Sequence, residues 1–428
     1  MKTKNLKNRL RNLGGRLTIT TELFNRNQLA NHAAAGAYGF LLSALPAILL
    51  GTLIVTWVFR AKPEKMGELF SVLGNLGGLV DSQDLLKSYL SFSFSGIAGI
   101  VATINLIWTT RVFALSLQRG LRVIFAVSVP PNPIKEAAIP FVIEFFALFY
   151  ALILWGLLQI PSNGAIPLWL LRGLFPLAGL GFLSYLAYRF VPIQAPSRRA
   201  SLVGALFCVI AFGLLSTGFH LFVNPEKYDR LYGSLGNLIL LLANVYFFFM
   251  FFFMGAQFTF VWDSIDALTF SRFHRVHRNT TETSKPTQRL SPLERRFFSS
   301  TDGALQKYLH LFNDGDMLFR QGDGQGDVYY IIEGSVGIYL QEEIQNGPGK
   351  EYRVGQIGGG NFLGEMGYLL GEARTATAKV EGSALVLALP PRVFEEILET
   401  DPQTARGVIN SLSERLKNTN KKIEDGAV

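Results

Sequence analysis

Six apolar stretches between about residue 31 and residue 262 restrict this chain more than any other feature. They lie near 34–59, 94–117, 137–160, 165–188, 201–223 and 235–262. Each can cover about 30 Å of hydrocarbon, which takes roughly 20 helical residues. Each is apolar on most faces, so helices that satisfy their own backbone in lipid are expected rather than barrel strands. Charged residues make up 17% of the chain, against about 25% in soluble proteins, and the deficit falls inside this block. The prediction is an α-helical integral membrane domain of six spans, flanked by soluble segments.

Lysine and arginine set its orientation. Lys2, Lys4, Lys7, Arg9, Arg11, Arg16 and Arg26 precede the first span, with only Glu22 against them. Arg119, Arg122 and Lys135 follow the second, Arg189, Arg198 and Arg199 the fourth, and Arg272, Arg275 and Arg278 the sixth. The opposite loops balance Lys62, Lys65 and Lys87 with Glu64, Glu68, Asp81 and Asp84, and Lys227 and Arg230 with Glu226 and Asp229. The positive-inside rule then predicts both termini in the cytoplasm. The basic N-terminus lacks a signal-peptide pattern and reads as a cytoplasmic anchor. Residues 66–90 are amphipathic and are expected at the outer interface. The net charge of +8 follows the membrane ends, so the expected partner is the lipid bilayer and its anionic headgroups, not nucleic acid. A single cysteine, Cys208, permits no internal disulfide.

Ionisable or amide side chains inside spans are costly and mark either a partner or a pathway. Arg111, Glu144, Asn244 and Gln257 are the intramembrane polar candidates. Arg111 can snorkel to an interface, Glu144 can pair with a neighbouring helix or line a pathway, and the amides can bond between helices. The runs AAAGAYGFLLSALPAILL, NLIWTTRVFALSLQRGLRVIF, YRFVP and YGSLGNLILLLANVYFFFMFFFMGAQF resemble the YihY/BrkB family over about residues 20–265. The resemblance implies a six-span bacterial inner-membrane protein, of a family once labelled ribonuclease BN and sometimes proposed to transport solutes. Gln257 stands where that family usually carries an acid. No cluster of acids, histidines or metal ligands supports phosphodiester hydrolysis.

Beyond residue 265 the pattern changes. The polar stretch HRNTTETSKPTQRLSP leads into short alternating runs separated by glycine turns, which predict a small β-barrel, jelly-roll-like, with flanking helices. QNGPGK, residues 345–350, is expected to close a hairpin. Residues 390–422 read as two helices with Val408, Ile409, Leu412 and Leu416 on one face.

Within that module, FLGEMGYLLGEARTATA spans residues 362–378. Gly364 permits close backbone approach, and the turn after it can aim N–H groups at an anion. Glu365 can accept a hydrogen bond from a ribose hydroxyl. Arg374 can grip phosphate oxygens with its planar fork. Together with GDMLFRQGDGQGDVYYIIEGSVGIYL upstream, the stretch resembles the cyclic-nucleotide-binding domains of bacterial transcription activators, kinase regulatory subunits and gated channels. Gly315, Gly322, Asp323, Asp327, Gly334 and Gly337 match that family's turn positions. The resemblance assigns Gly364, Glu365, Met366, Gly367, Arg374 and Thr375 to the nucleotide, with Leu412, Arg415 and Leu416 as a lid. Leu363 lengthens the family's usual Phe-Gly-Glu, and Gly367 replaces a common alanine. Thr375 suits either base; cAMP is favoured over cGMP only by its general use in bacteria.

The expected domains are a basic segment at 1–30, the membrane domain at 31–264, a polar linker at 265–299 and the nucleotide domain at 300–422. The expected function is a cyclic-nucleotide-regulated inner-membrane protein with a transporter- or channel-like membrane half. The alternative is a membrane-tethered sensor or scaffold that transports nothing. With no nucleophile–base pair in the sequence, no enzyme activity and no cofactor are expected; oligomeric state leaves no signature.

Overall fold

A computed structural model describes residues 2–43, 97–125, 174–192, 194–222, 234–283, 304–341 and 351–424. The chain divides into two compact units, one of Leu17–Asp263 and one of Met1–Arg16 with Ser264–Val428.

Helix α1 covers Lys2–Arg26, and residues 29–43 are also helical. Four helices lie wholly in the first unit: α2 (Ile97–Ile124), α3 (Phe175–Phe190), α4 (Arg198–Phe222) and α5 (Ser234–Asp263). They overlap the expected spans at 94–117, 165–188, 201–223 and 235–262, with α2 running seven residues past its span. The expected span at 137–160, Glu144, the interfacial stretch 66–90 and the hairpin 345–350 lie outside the described residues. Ser197 caps α4, its hydroxyl oxygen accepting the amide of Ala200 at 3.3 Å. Leu29, Leu121, Tyr188, Cys208 and Phe253 form the centre of the unit's core.

Where α4 crosses α5, backbone meets backbone. A Cβ on Gly204 would fall 2.6 Å from the Gly255 carbonyl oxygen, and one on Gly255 would fall 2.8 Å from that of Gly204. Small residues allow this approach, as is common between helices in lipid. Nearby, the Tyr188 hydroxyl donates to the Phe252 carbonyl at 2.7 Å.

The outward side is apolar too. Leu202, Leu206, Ile210 and Leu214 recur every fourth residue along α4 and are 60%, 57%, 53% and 70% exposed. Water would disfavour such a stripe, whereas hydrocarbon accepts it. Residues 198–219 and 239–263 are long and apolar enough to cross a membrane.

The second unit is a mixed sheet and helix structure. Helix α6 (Ile265–Thr283) follows α5 after one intervening residue, Ser264, inside the segment expected to be a polar linker. After a 3-10 turn at Gln306–Tyr308 come β1 (Leu309–Phe312), β2 (Met317–Phe319), β3 (Val328–Gln341), β4 (Glu351–Gly358) and β5 (Phe362–Leu363). Helix α7 (Glu365–Leu370), β6 (Thr377–Leu389), α8 (Pro391–Thr400) and α9 (Pro402–Glu424) complete it.

The sheet corrects the expectation of a β-barrel, because it is not closed. Its path is β1-β6-β3-β4, with β2 on β6 and β5 on β3. The long strands β3 and β6 form a common antiparallel pair whose register shifts on either side of Glu333. Gly334 follows with φ +93, a left-handed conformation suited to glycine. At one end, β1 pairs with residues 384–387 of β6 and β5 with residues 329–330 of β3. At the other, β2 pairs with residues 378–379 of β6 and β4 with residues 335–341 of β3. Strands β1 and β4 therefore sit at opposite ends of the long pair and cannot meet to close it.

Helix α6 is part of this unit's core. Phe270 and Phe273 are fully buried together with Tyr330, Phe394 and Leu387. The ring of Phe270 lies 5.2 Å from Tyr330 and 5.8 Å from Phe362. Asp266 holds the helix start, accepting Lys307 Nζ at 2.6 Å and the Tyr308 hydroxyl at 2.8 Å.

Candidate nucleotide-binding site

The site is built where β2, β5, α7 and the segment before β6 converge. Strand β5 pairs with Tyr329 and Tyr330 and ends at Leu363. Gly364 then adopts φ +79 and begins α7. A side chain there would suffer twice, from the left-handed backbone and from collision with the Arg374 guanidinium and the Phe319 ring. Gly371 ends α7 in the same conformation, φ +70, and turns the chain towards Arg374.

Backbone bonds fix Arg374 in place. Its N–H donates to the Asp323 carbonyl at 2.8 Å, and its carbonyl accepts the Gly322 amide at 2.8 Å. Asp323 shapes that turn by accepting the Arg320 amide at 2.7 Å. The side chain is buried, with Nη1 donating to the Gly364 carbonyl and Nη2 to the Asp327 carbonyl at 2.7 Å. The guanidinium carbon lies 4.6 Å above the Phe319 ring. Burial draws the guanidinium below its ordinary pKa, against the opposing fields of Tyr329, Glu365, Asp323 and Asp327. Burial also raises the Tyr329 phenol, helped by the Asp327 carboxylate.

Gly364, Glu365 and Gly367 are thus brought together around Arg374. Glu365 is buried at the start of α7 and Met366 is half-buried behind it. Gly367 lines the arginine, since a Cβ there would fall 3.5 Å from Nη1. Thr375 is exposed beside it. Leu412 packs against the core cluster containing Phe394, while the side chains of Arg415 and Leu416 lie outside the described residues. Phe319 was not among the expected site residues. It lies 55 positions from Arg374, and nothing in the local sequence joins them.

Among the described intramembrane candidates, Arg111, Asn244 and Gln257 do not form one cluster. Gln257 is buried and accepts Asn27 Nδ2 at 3.3 Å. Asn244 and Arg111 are exposed on their helices, and Asn244 stands about 20 Å from Gln257 along α5 at 1.5 Å per residue. Among the described residues, no three His, Cys, Asp or Glu are grouped to hold a metal ion.

The family model of virulence factor BrkB matches residues 20–269, more than half of the 428 residues. The chain belongs to the BrkB family. A cyclic nucleotide-binding domain matches residues 309–401, so a BrkB membrane domain is fused here to a C-terminal nucleotide-binding domain. Neither matched domain is catalytic.

Curated relatives match the C-terminal domain. The cAMP-activated global transcriptional regulator CRP of Salmonella typhimurium is 25% identical over 117 residues, covering 27% of this chain and 54% of the regulator. That of Pasteurella multocida is 24% identical over 119 residues, covering 28% and 55%. The chain thus spans about half the length of these relatives. Among solved structures, the Thermus thermophilus catabolite activator protein is 24% identical, covering 32% of this chain and 61% of that one, with a TM-score of 0.26. The cAMP-bound regulatory domain of Toxoplasma gondii PKA is 17% identical, covering 36% and 51%, with a TM-score of 0.24.

These relatives correct one expectation. Nucleic acid was excluded because basic residues follow the membrane ends, yet the matched proteins are transcriptional regulators. Charge distribution in the membrane half carries no information about partners of the other half, so the exclusion does not stand.

Proposed function

We propose that this protein is a membrane-tethered sensor of a cyclic purine nucleotide, cAMP or cGMP, without a transport step of its own. The observation that carries the reading is the convergence of Gly364 and Glu365 on Arg374 inside the matched nucleotide-binding domain. In this reading the Arg374 fork takes the phosphate oxygens, which suit a planar cation. Glu365 accepts the ribose hydroxyl, and the backbone of Gly364, Met366 and Gly367 borders the phosphate. The Thr375 hydroxyl serves phosphate or base. Helix α9 supplies the lid through Leu412, Arg415 and Leu416.

Ligand recognition, the property named in the CRP relatives, is what carries over from the shared segment. The membrane domain holds six spans over 31–264 in the inner membrane, with both termini cytoplasmic. The nucleotide domain extends back to include α6, whose phenylalanines enter its core.

Calorimetric titration of the full chain in detergent with cAMP and with cGMP tests the binding. Saturable binding tighter than millimolar is expected for at least one; heat of dilution alone for both would overturn the reading. Reconstituted vesicles test the output. Solute flux that switches on with nucleotide would replace the sensor by a transporter- or channel-like protein.

A further inference from the structure

We propose that Phe319 is a positioning residue for nucleotide binding, holding the Arg374 guanidinium flat and aimed before the phosphate arrives. The inference rests on the reading of Arg374 as the phosphate ligand and adds how that ligand is made ready.

A guanidinium on a three-carbon stem ordinarily samples many orientations, and binding must then stop that motion. Here each degree of freedom has a restraint. The guanidinium carbon lies over the Phe319 ring, 4.6 Å from its centroid, in the range of a cation–π contact. Rotation within the plane is stopped by the Gly364 and Asp327 carbonyls, which accept Nη1 and Nη2. Two of the five N–H groups are used in this way, which leaves three for an anion. Glycines keep the surroundings open. Cβ atoms on Gly326 and Gly367 would each lie 3.5 Å from a guanidinium nitrogen.

Phe319 is itself held. It ends β2, with Phe319 registered opposite Ala378 of β6. Its ring lies 6.0 Å from that of Tyr329, whose hydroxyl donates to the Leu318 carbonyl at 3.2 Å. The platform thus belongs to the sheet, while the guanidinium it carries belongs to the segment after α7. Leucine would fill much of the space but offers no π face.

The test compares Phe319→Leu, Phe319→Tyr, Arg374→Ala and the Phe319→Leu/Arg374→Ala double variant with the parent, using full-length protein titrated with cAMP and cGMP up to millimolar. Phe319→Leu is expected to weaken binding about tenfold, whereas Phe319→Tyr keeps the π face and stays within about twofold of the parent. In the Arg374→Ala background, Phe319→Leu should change affinity no further, because its effect runs through the arginine. Melting temperatures identify a variant that has lost its fold. An unchanged affinity in Phe319→Leu overturns the inference and leaves the proposed function standing. So does a Phe319→Tyr chain as weak as Phe319→Leu, or an equal loss in the Arg374→Ala background, which makes the residue merely structural. If the folded parent binds neither nucleotide, the proposed function falls and this inference falls with it.

Discussion

The two units bury their phenylalanines in opposite solvents. In residues 17–263, Phe249, Phe252 and Phe253 of α5 point into the core while the leucines of α4 point outward. In the second unit, Phe270 and Phe273 of α6 point inward, and Arg275, on the same helix, is exposed. The buried polar side chains differ in kind. Among the described residues, those of 17–263 are neutral, such as Ser184, Gln257 and Thr259, whereas the second unit buries Glu365, Arg374 and Asp401. A buried charge is kept only where partners or ligands compensate it. The contrast therefore separates buried, compensated charge in the second unit from close helix packing in the first.

The strongest way to break this comparison is to remove a phenylalanine from α6. Phe270→Ala should destabilise the nucleotide domain by about 3–5 kcal/mol, the range for truncating a buried aromatic, read from chemical unfolding monitored in that domain. Survival of the domain with unchanged stability would make α6 a mere linker. Arg374→Ala should cost about 1.5–3 kcal/mol of nucleotide affinity, the range for hydrogen bonds to charged groups, measured by titration with the fold checked by melting.

In the first unit, Gly204→Val should destabilise by about 1–3 kcal/mol through overpacking against Gly255. Thermal unfolding in detergent measures it, and an unaltered midpoint would mean that α4 and α5 do not meet there. The smallest effect concerns pH. Glu381 is held below its ordinary value of 4.5, first by the Arg353 fork at 2.7 Å and also by the Tyr339 hydroxyl. A depressed carboxylate stabilises above its unfolded pKa and loses that contribution as pH falls through the folded value. Melting temperatures from pH 7 to pH 3 should therefore fall slightly less in Glu381→Gln than in the parent below about pH 4.5.

Legibility followed physical range. The charged pair Glu365 and Arg374 could be named because both stand nine positions apart in one glycine-containing stretch. Helix α6 carried a readable sign that the polar surroundings hid. Ala267, Phe270, His274 and His277 recur at helical spacing, and Phe273 adds to the same face. In the apolar spans periodicity is weak, so their helices were legible but the Gly204–Gly255 contact was not. Closure of the sheet was overestimated because strand count and turn spacing do not say which end of a long strand a neighbour joins.

By itself, then, the sequence determined the membrane block, its apolar lengths, and the residue types able to meet a phosphate and a ribose. These depend on composition and on neighbours within a turn or two. Only the tertiary structure decided that β1 and β4 stand at opposite ends of the β3–β6 pair, that α6 belongs to the nucleotide domain, and that Phe319 lies beneath Arg374. Those facts join residues far apart in the chain, and long-range contacts are selected by packing and backbone pairing that no local pattern encodes.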